Sequence, residues 1–137
     1  SMATRQGLRA AAVVTVFAIL LGTIVTGAGP HAGDEDIERL NVSISAVARL
    51  HGIAVMVAIA TVLVVALRVR SRPSERRAIG ERLTVWVFVA ALQAAVGYIQ
   101  YFNGVPELLV GLHVLGVSVL WAVTVGLLTV AGRPARA

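Results

Sequence analysis

Four stretches of the chain are almost wholly apolar, at about residues 10–28, 47–67, 83–102 and 108–131, and the polar residues gather in the gaps between them. Each stretch reaches the roughly 17–25 residues needed to cross a hydrocarbon core of about 30 Å. Each therefore predicts a transmembrane helix. Little chain is left over, so the pattern predicts one all-α integral membrane domain, a four-helix transmembrane bundle with short loops. The first stretch, preceded by Arg5 and Arg9, has the outline of a signal peptide. Its apolar run is long for that role, and its removal would destroy the repeat described next, so it is read as a span. Ser1-Met2 reads as a cloning scar ahead of a native start.

The two halves of the pattern resemble one another. "LLGTIVTGAGP" (20–30) aligns with "AVGYIQYFNGVP" (95–106) after one insertion, pairing Gly22 with Gly97, Ile24 with Ile99 and Pro30 with Pro106. "ARLHGIAVMV" (48–57) aligns with "VGLHVLGVSV" (110–119), pairing Leu50-His51 with Leu112-His113. Each half is thus a helical hairpin, and both hairpins run the same way through the membrane. Such a repeat implies a pseudo-two-fold axis along the membrane normal.

Composition agrees with the pattern and charge orients it. Of 137 residues, 58% are hydrophobic and 14% charged, the latter far below the roughly 25% of a soluble domain. The net charge of +5 invites a nucleic-acid reading, but the distribution of the charges argues against it. Arg68, Arg70, Arg72, Arg76, Arg77 and Arg82 crowd the second link; Arg5 and Arg9 precede the first span, and Arg133 and Arg136 follow the last. The first link carries Asp34, Glu35, Asp36 and Glu38 against Arg39 alone. Positive residues mark cytoplasmic segments, so both termini and the central link are expected inside, and the acidic link and the 102–107 turn outside. No cysteine is present, which excludes disulfides, thiolate metal sites and cysteine nucleophiles.

His51 and His113 bring chemistry into this apolar frame. Each follows the outer start of its span by about four to six residues, which places both rings roughly 6–9 Å below the outer end. Two-fold symmetry aims them at one another. Ionisable groups inside spans are costly and commonly functional, although either histidine alone could simply hydrogen-bond a neighbouring helix. His31, beside Gly29-Pro30 and near Asp34, reads as a solvated loop residue. A zinc site wants three or four protein ligands, and the acidic residues lie in loops above the pair. A proton relay wants carboxylates at depth, and the spans carry none. Two histidines from facing helices can instead fill both axial positions of a heme iron, which favours electron transfer over oxygen binding.

The neighbours suit a flat macrocycle. Gly52, Ala54 and Ala58 follow His51, and Gly111 and Gly116 flank His113. Gln93, Gly97 and Gln100 fall on one face of the third span, where small residues admit a ring and amides donate to it. The same small residues also serve ordinary helix packing. Arg39 and Arg49, at the outer end, can pair with heme propionates, and Arg49 can equally snorkel to lipid phosphate.

These motifs, "GTIVTGAGPHAGD" (22–34), "RL" (39–40), "ARLHG" (48–52), "QAAVGYIQY" (93–101) and "PELLVGLHVLG" (106–116), together resemble the heme A synthase family in its bacterial, actinobacterial-like form. The resemblance is to the C-terminal four-helix half and covers essentially the whole chain. It implies a heme b cofactor held between His51 and His113, with the family's other half oxidising the C8 methyl of heme O to the formyl of heme A. It also implies a multi-pass protein of the bacterial plasma membrane, with the N-terminal half or a second copy of the chain as partner, besides lipid. The family's N-terminal half carries a glutamate three residues before its first histidine and often a cysteine pair in its outer loop. Here that position is Ala48 and there is no cysteine. The expectation is a cofactor domain of a heme A synthase-type oxidoreductase, catalytically incomplete by itself.

The competing expectation is a small four-helix membrane transporter or exporter, or a scaffold, without heme. Exporters of that size typically carry an acidic residue within a span, and none is visible here. A cytochrome of the b561 type would want four intramembrane histidines for two hemes, and only two fall in spans.

Overall fold

The four apolar stretches form four helices in a computed structural model that describes residues 1–29 and 40–132. The helices are α1 (Met2–Ala28), α2 (Ile44–Arg70), α3 (Pro73–Phe102) and α4 (Glu107–Gly132). There is no strand among the described residues, and all four helices are long and apolar enough to cross a membrane. The protein is an all-α, multi-pass membrane bundle.

The helices overrun the apolar stretches at the arginine-rich end. Hydropathy marks only the part that lies in hydrocarbon, while the backbone hydrogen-bond ladder continues into the interface. Only Ser71 and Arg72 separate α2 from α3, and Pro73 opens α3 at its first turn, where its missing N–H costs nothing. The turn from α3 to α4 is equally short and more constrained. Gly104 takes the left-handed conformation (φ 74°), and the Val105 N–H reaches back to the Gln100 carbonyl at 2.7 Å, a Schellman closure. Val105 itself has φ 59°, a strained value for a β-branched residue, immediately before Pro106.

Hydroxyls within the spans are satisfied inside their own helices. Thr15, Thr26, Thr61, Ser118 and Thr124 each donate to the carbonyl four residues earlier, at 2.7–3.1 Å. In hydrocarbon no water competes for these groups, so back-bonding is the available solution.

The helices stand in the order α1, α2, α3, α4 around a square. Backbones approach along its four sides and not across its diagonals, and the approaches within the α1–α2 and α3–α4 hairpins are the most extensive. The two-hairpin architecture expected from the repeat is therefore present. Its core is uneven. Leu8, Ala11, Val62, Val65, Val69, Ile79, Leu83, Trp86, Ala90 and Leu127 form one buried cluster toward the arginine-rich end. The cluster toward the other end is small, Ala18, Leu21 and Ala54, between α1 and α2. On α4 the first fully buried residue is Thr124; the seventeen residues before it, from Glu107, include none.

Trp86, 1% exposed, is the largest side chain of the main cluster, and its indole N–H donates to Thr124 Oγ1 at 2.8 Å. This bond joins α3 to α4 where the bundle is tightest. At the same end Glu75 accepts from Thr4 and from the amino terminus, which ties α3 to the start of α1. Thr124→Val keeps the volume but strands the indole N–H. The expected loss is about 0.5–2 kcal/mol of stability, measurable as a lowered unfolding midpoint in a mixed-micelle denaturant titration.

Candidate functional site

His51 and His113 lie on α2 and α4, two helices that do not touch, yet their rings meet across the diagonal. The centroids are 6.5 Å apart and the planes cross at 77°. His51 is seven residues into α2 and His113 six into α4, which puts both about 9–10 Å from their helix starts. His51 thus lies three residues, and His113 one residue, further from its helix start than from the start of its apolar stretch.

The hairpin partner positions each ring. His51 Nδ1 lies 2.8 Å from the Ala18 carbonyl oxygen on α1. A carbonyl only accepts, so Nδ1 carries the proton and donates, and Nε2 is left with its lone pair. Gly22, one turn beyond Ala18, lets α1 pass the ring closely. A Cβ there would stand 3.0 Å from His51 Cε1 and 3.3 Å from Nδ1. The second hairpin repeats the arrangement more loosely. A Cβ at Gly97 would stand 3.4 Å from His113 Cε1 and 4.0 Å from its Nδ1. Gly22 and Gly97 are the pair matched by the internal repeat, so the two sites are related by the two-fold.

The repeat breaks one turn away. Ala18 lies four residues before Gly22; the residue four before Gly97 is Gln93. Gln93 is buried, and its amide rests directly on Gly116 of α4, within the space a Cβ would occupy. His113 Nδ1 is buried and has no hydrogen-bond partner, and the same holds for Gln93 Oε1 and Gln100 Oε1. Three unpaired polar atoms thus gather on the α3–α4 side of the site. Buried polar groups are normally paired, so this cluster is a place where a further group can be received.

The other expected residues distribute as follows. Gln93 is buried against Gly116, Gly97 faces the His113 ring, and Gln100 Oε1 is buried on the same side of α3. Ala54 and Ala58 are buried against the helix core and serve packing, whereas Cβ atoms at Gly52 and Gly111 would meet open space. Arg49 is exposed, and its Nε donates to the Ser45 carbonyl one turn toward the helix start. It is not drawn to the histidine pair. Arg39, His31 and the acidic residues of the first link lie outside the described residues. The two best-formed cavities are at the arginine-rich end and neither includes a histidine. Among the described residues, no group of three or more His, Cys, Asp or Glu side chains comes together.

Sequence reasoning did not single out Ala18, whose contribution is a backbone oxygen and leaves no side-chain signal. Gly22 was visible as the repeat counterpart of Gly97 but was not read as a ring contact.

No protein-family model, curated protein or solved structure matches the chain.

Gly22→Ala forces the His51 ring to shift by a few tenths of an ångström and strains its bond to Ala18. A protected, downfield Nδ1–H signal from one histidine is expected by NMR in the wild type. It should weaken or move in Gly22→Ala and remain in Gly97→Ala, whose ring contact has room for a methyl group.

Proposed function

We propose that this chain is a bis-histidine, b-type heme-binding domain of the heme A synthase kind, and that it relays electrons for a heme-modifying oxidoreductase. The observation that carries the reading is the meeting of His51 and His113 across the bundle diagonal. A metal ion held by one nitrogen of each ring, at about 2.0–2.1 Å, would need the ring centres roughly 6 Å apart. The observed separation is 6.5 Å.

The remaining residues fit the group. The Ala18 carbonyl holds His51 in the tautomer that presents Nε2, as the outer partner of a metal-bound histidine commonly does. Two histidines with no third ligand among the described residues suit a macrocycle that brings its own equatorial nitrogens, and suit a closed zinc site poorly.

When bound, the heme supplies one-electron exchange at its iron. His51 and His113 would hold the group, and the apolar helices around them would exclude water. Ala48 leaves this half without the carboxylate that the family's resemblance assigns to substrate oxidation, so turnover of heme O belongs to a partner half. On this reading the protein sits in a bacterial plasma membrane with the arginine-rich end inside, since α1 begins, α2 and α3 join, and α4 finishes at that end.

The purified protein should be red, with the sharp reduced bands of low-spin heme, after expression or after reconstitution. His51→Ala and His113→Ala should each abolish or severely weaken heme retention while the helical circular-dichroism signal persists. A folded wild type that stays colourless on reconstitution refutes the assignment, as do two single variants that bind heme normally. In a conversion assay, heme A should form from heme O only when an N-terminal half is supplied in trans.

A further inference from the structure

We propose that the groove between α2 and α3 at the arginine-rich end binds one anionic phospholipid, with its phosphate between Arg70 and Arg76. This site is separate from the histidine pair and does not depend on heme. The groove has a volume of about 540 Å³. Its floor is Val69 and Leu83, 1% and 2% exposed, and its walls are Ala66, Val87 and Phe88. Arg70 and Arg76 stand at its mouth.

The gradient along the groove is that of a lipid. Arg76 and Phe88 are twelve residues apart on α3, about 18 Å, comparable with the depth of one leaflet's acyl chains. Phe88 is 68% exposed at the deep end, where only hydrocarbon is available to cover it. Thr84 lines the middle, but its hydroxyl is committed to the Gly80 carbonyl at 3.2 Å, so the wall below the arginines offers no free donor. Arg76 lies flat over Gly80: a Cβ there would stand 3.3 Å from Arg76 Cγ. Its stem covers the wall there.

The charge at the mouth is uncompensated. Neither Arg70 nor Arg76 has a carboxylate partner among the described residues. Glu75, the nearest acid in sequence, is taken by the amino terminus, Thr4 and Arg72, and Glu81 does not line the groove. The first turn of α3, opened by Pro73, adds the positive end of a helix dipole. Paired guanidinium groups suit phosphate oxygens. A lipid with a choline headgroup would bring its own cation against them, so a net-negative lipid is favoured. A soluble anion would use the mouth and leave the apolar floor bare.

Native mass spectrometry of the full chain in detergent, titrated with phosphatidylglycerol or phosphatidylcholine of identical acyl chains, tests the site. The expected result is retention of phosphatidylglycerol roughly tenfold or more over phosphatidylcholine. Arg70→Gln/Arg76→Gln should erase that preference, while the charge-matched control Arg68→Gln/Arg77→Gln keeps it. Ala66→Phe, which fills the groove and leaves both arginines in place, should also weaken retention, and it decides the matter if the first double variant does not fold. Millimolar inorganic phosphate should not displace the lipid. The proposal is overturned by equal retention of both lipids, by equal loss in the control, by unchanged binding in Ala66→Phe, or by displacement with phosphate alone.

Discussion

Helices in hydrocarbon gain nothing from hiding apolar side chains from one another, because the lipid is as apolar as they are. What holds such a bundle is close fit and a few polar contacts that lipid cannot replace. In this protein two of those contacts sit at opposite ends. Trp86 to Thr124 closes the α3–α4 seam within the main core. His51 to Ala18 closes the α1–α2 seam where the core is nearly absent. The first acts as a structural clamp inside a packed cluster. The second orients a side chain that the surrounding packing is too thin to hold.

That contrast divides the molecule along its axis. The arginine-rich end is filled by Val, Leu, Ile and Trp from all four helices, so it sets the relative positions of the hairpins. The histidine end inherits those positions with little packing of its own. Short connections transmit the geometry: two residues join α2 to α3, and the Gly104–Val105 closure fixes where α4 begins. Since His113 lies less than two turns into α4, whose start that closure fixes, the turn sets its depth. The strain at Val105 sits next to the element whose height matters most.

Much of this was legible in the residues. Hydropathy alone marks four spans, and the Leu-His repeat marks two hairpins and a common depth. The ends of the helices were less legible because arginine and serine continue a helix into the interface without any apolar signature. The inward face of α3, Gln93, Gly97 and Gln100, followed from helical spacing. The asymmetry between hairpins did not. It arises because Ala18 contributes a carbonyl oxygen, and every residue has one, so nothing in the sequence distinguishes it. Arg49 illustrates the opposite limit: its sequence position allowed a partner at the site or at the interface, and only the fold shows it turned back on its own helix.

The break in symmetry bears on how the proposed iron site would behave. One imidazole is held by a backbone carbonyl that cannot move without moving α1; the other has a buried Nδ1 with no hydrogen-bond partner. His51 is therefore the fixed side of the pair. Gln93 occupies the place where a strict repeat would set another backbone-only contact, and its amide is packed against Gly116 instead. A site built from two similar hairpins thus has one ring anchored to a backbone carbonyl and one, on the helix with the least burial, whose Nδ1 has no such anchor.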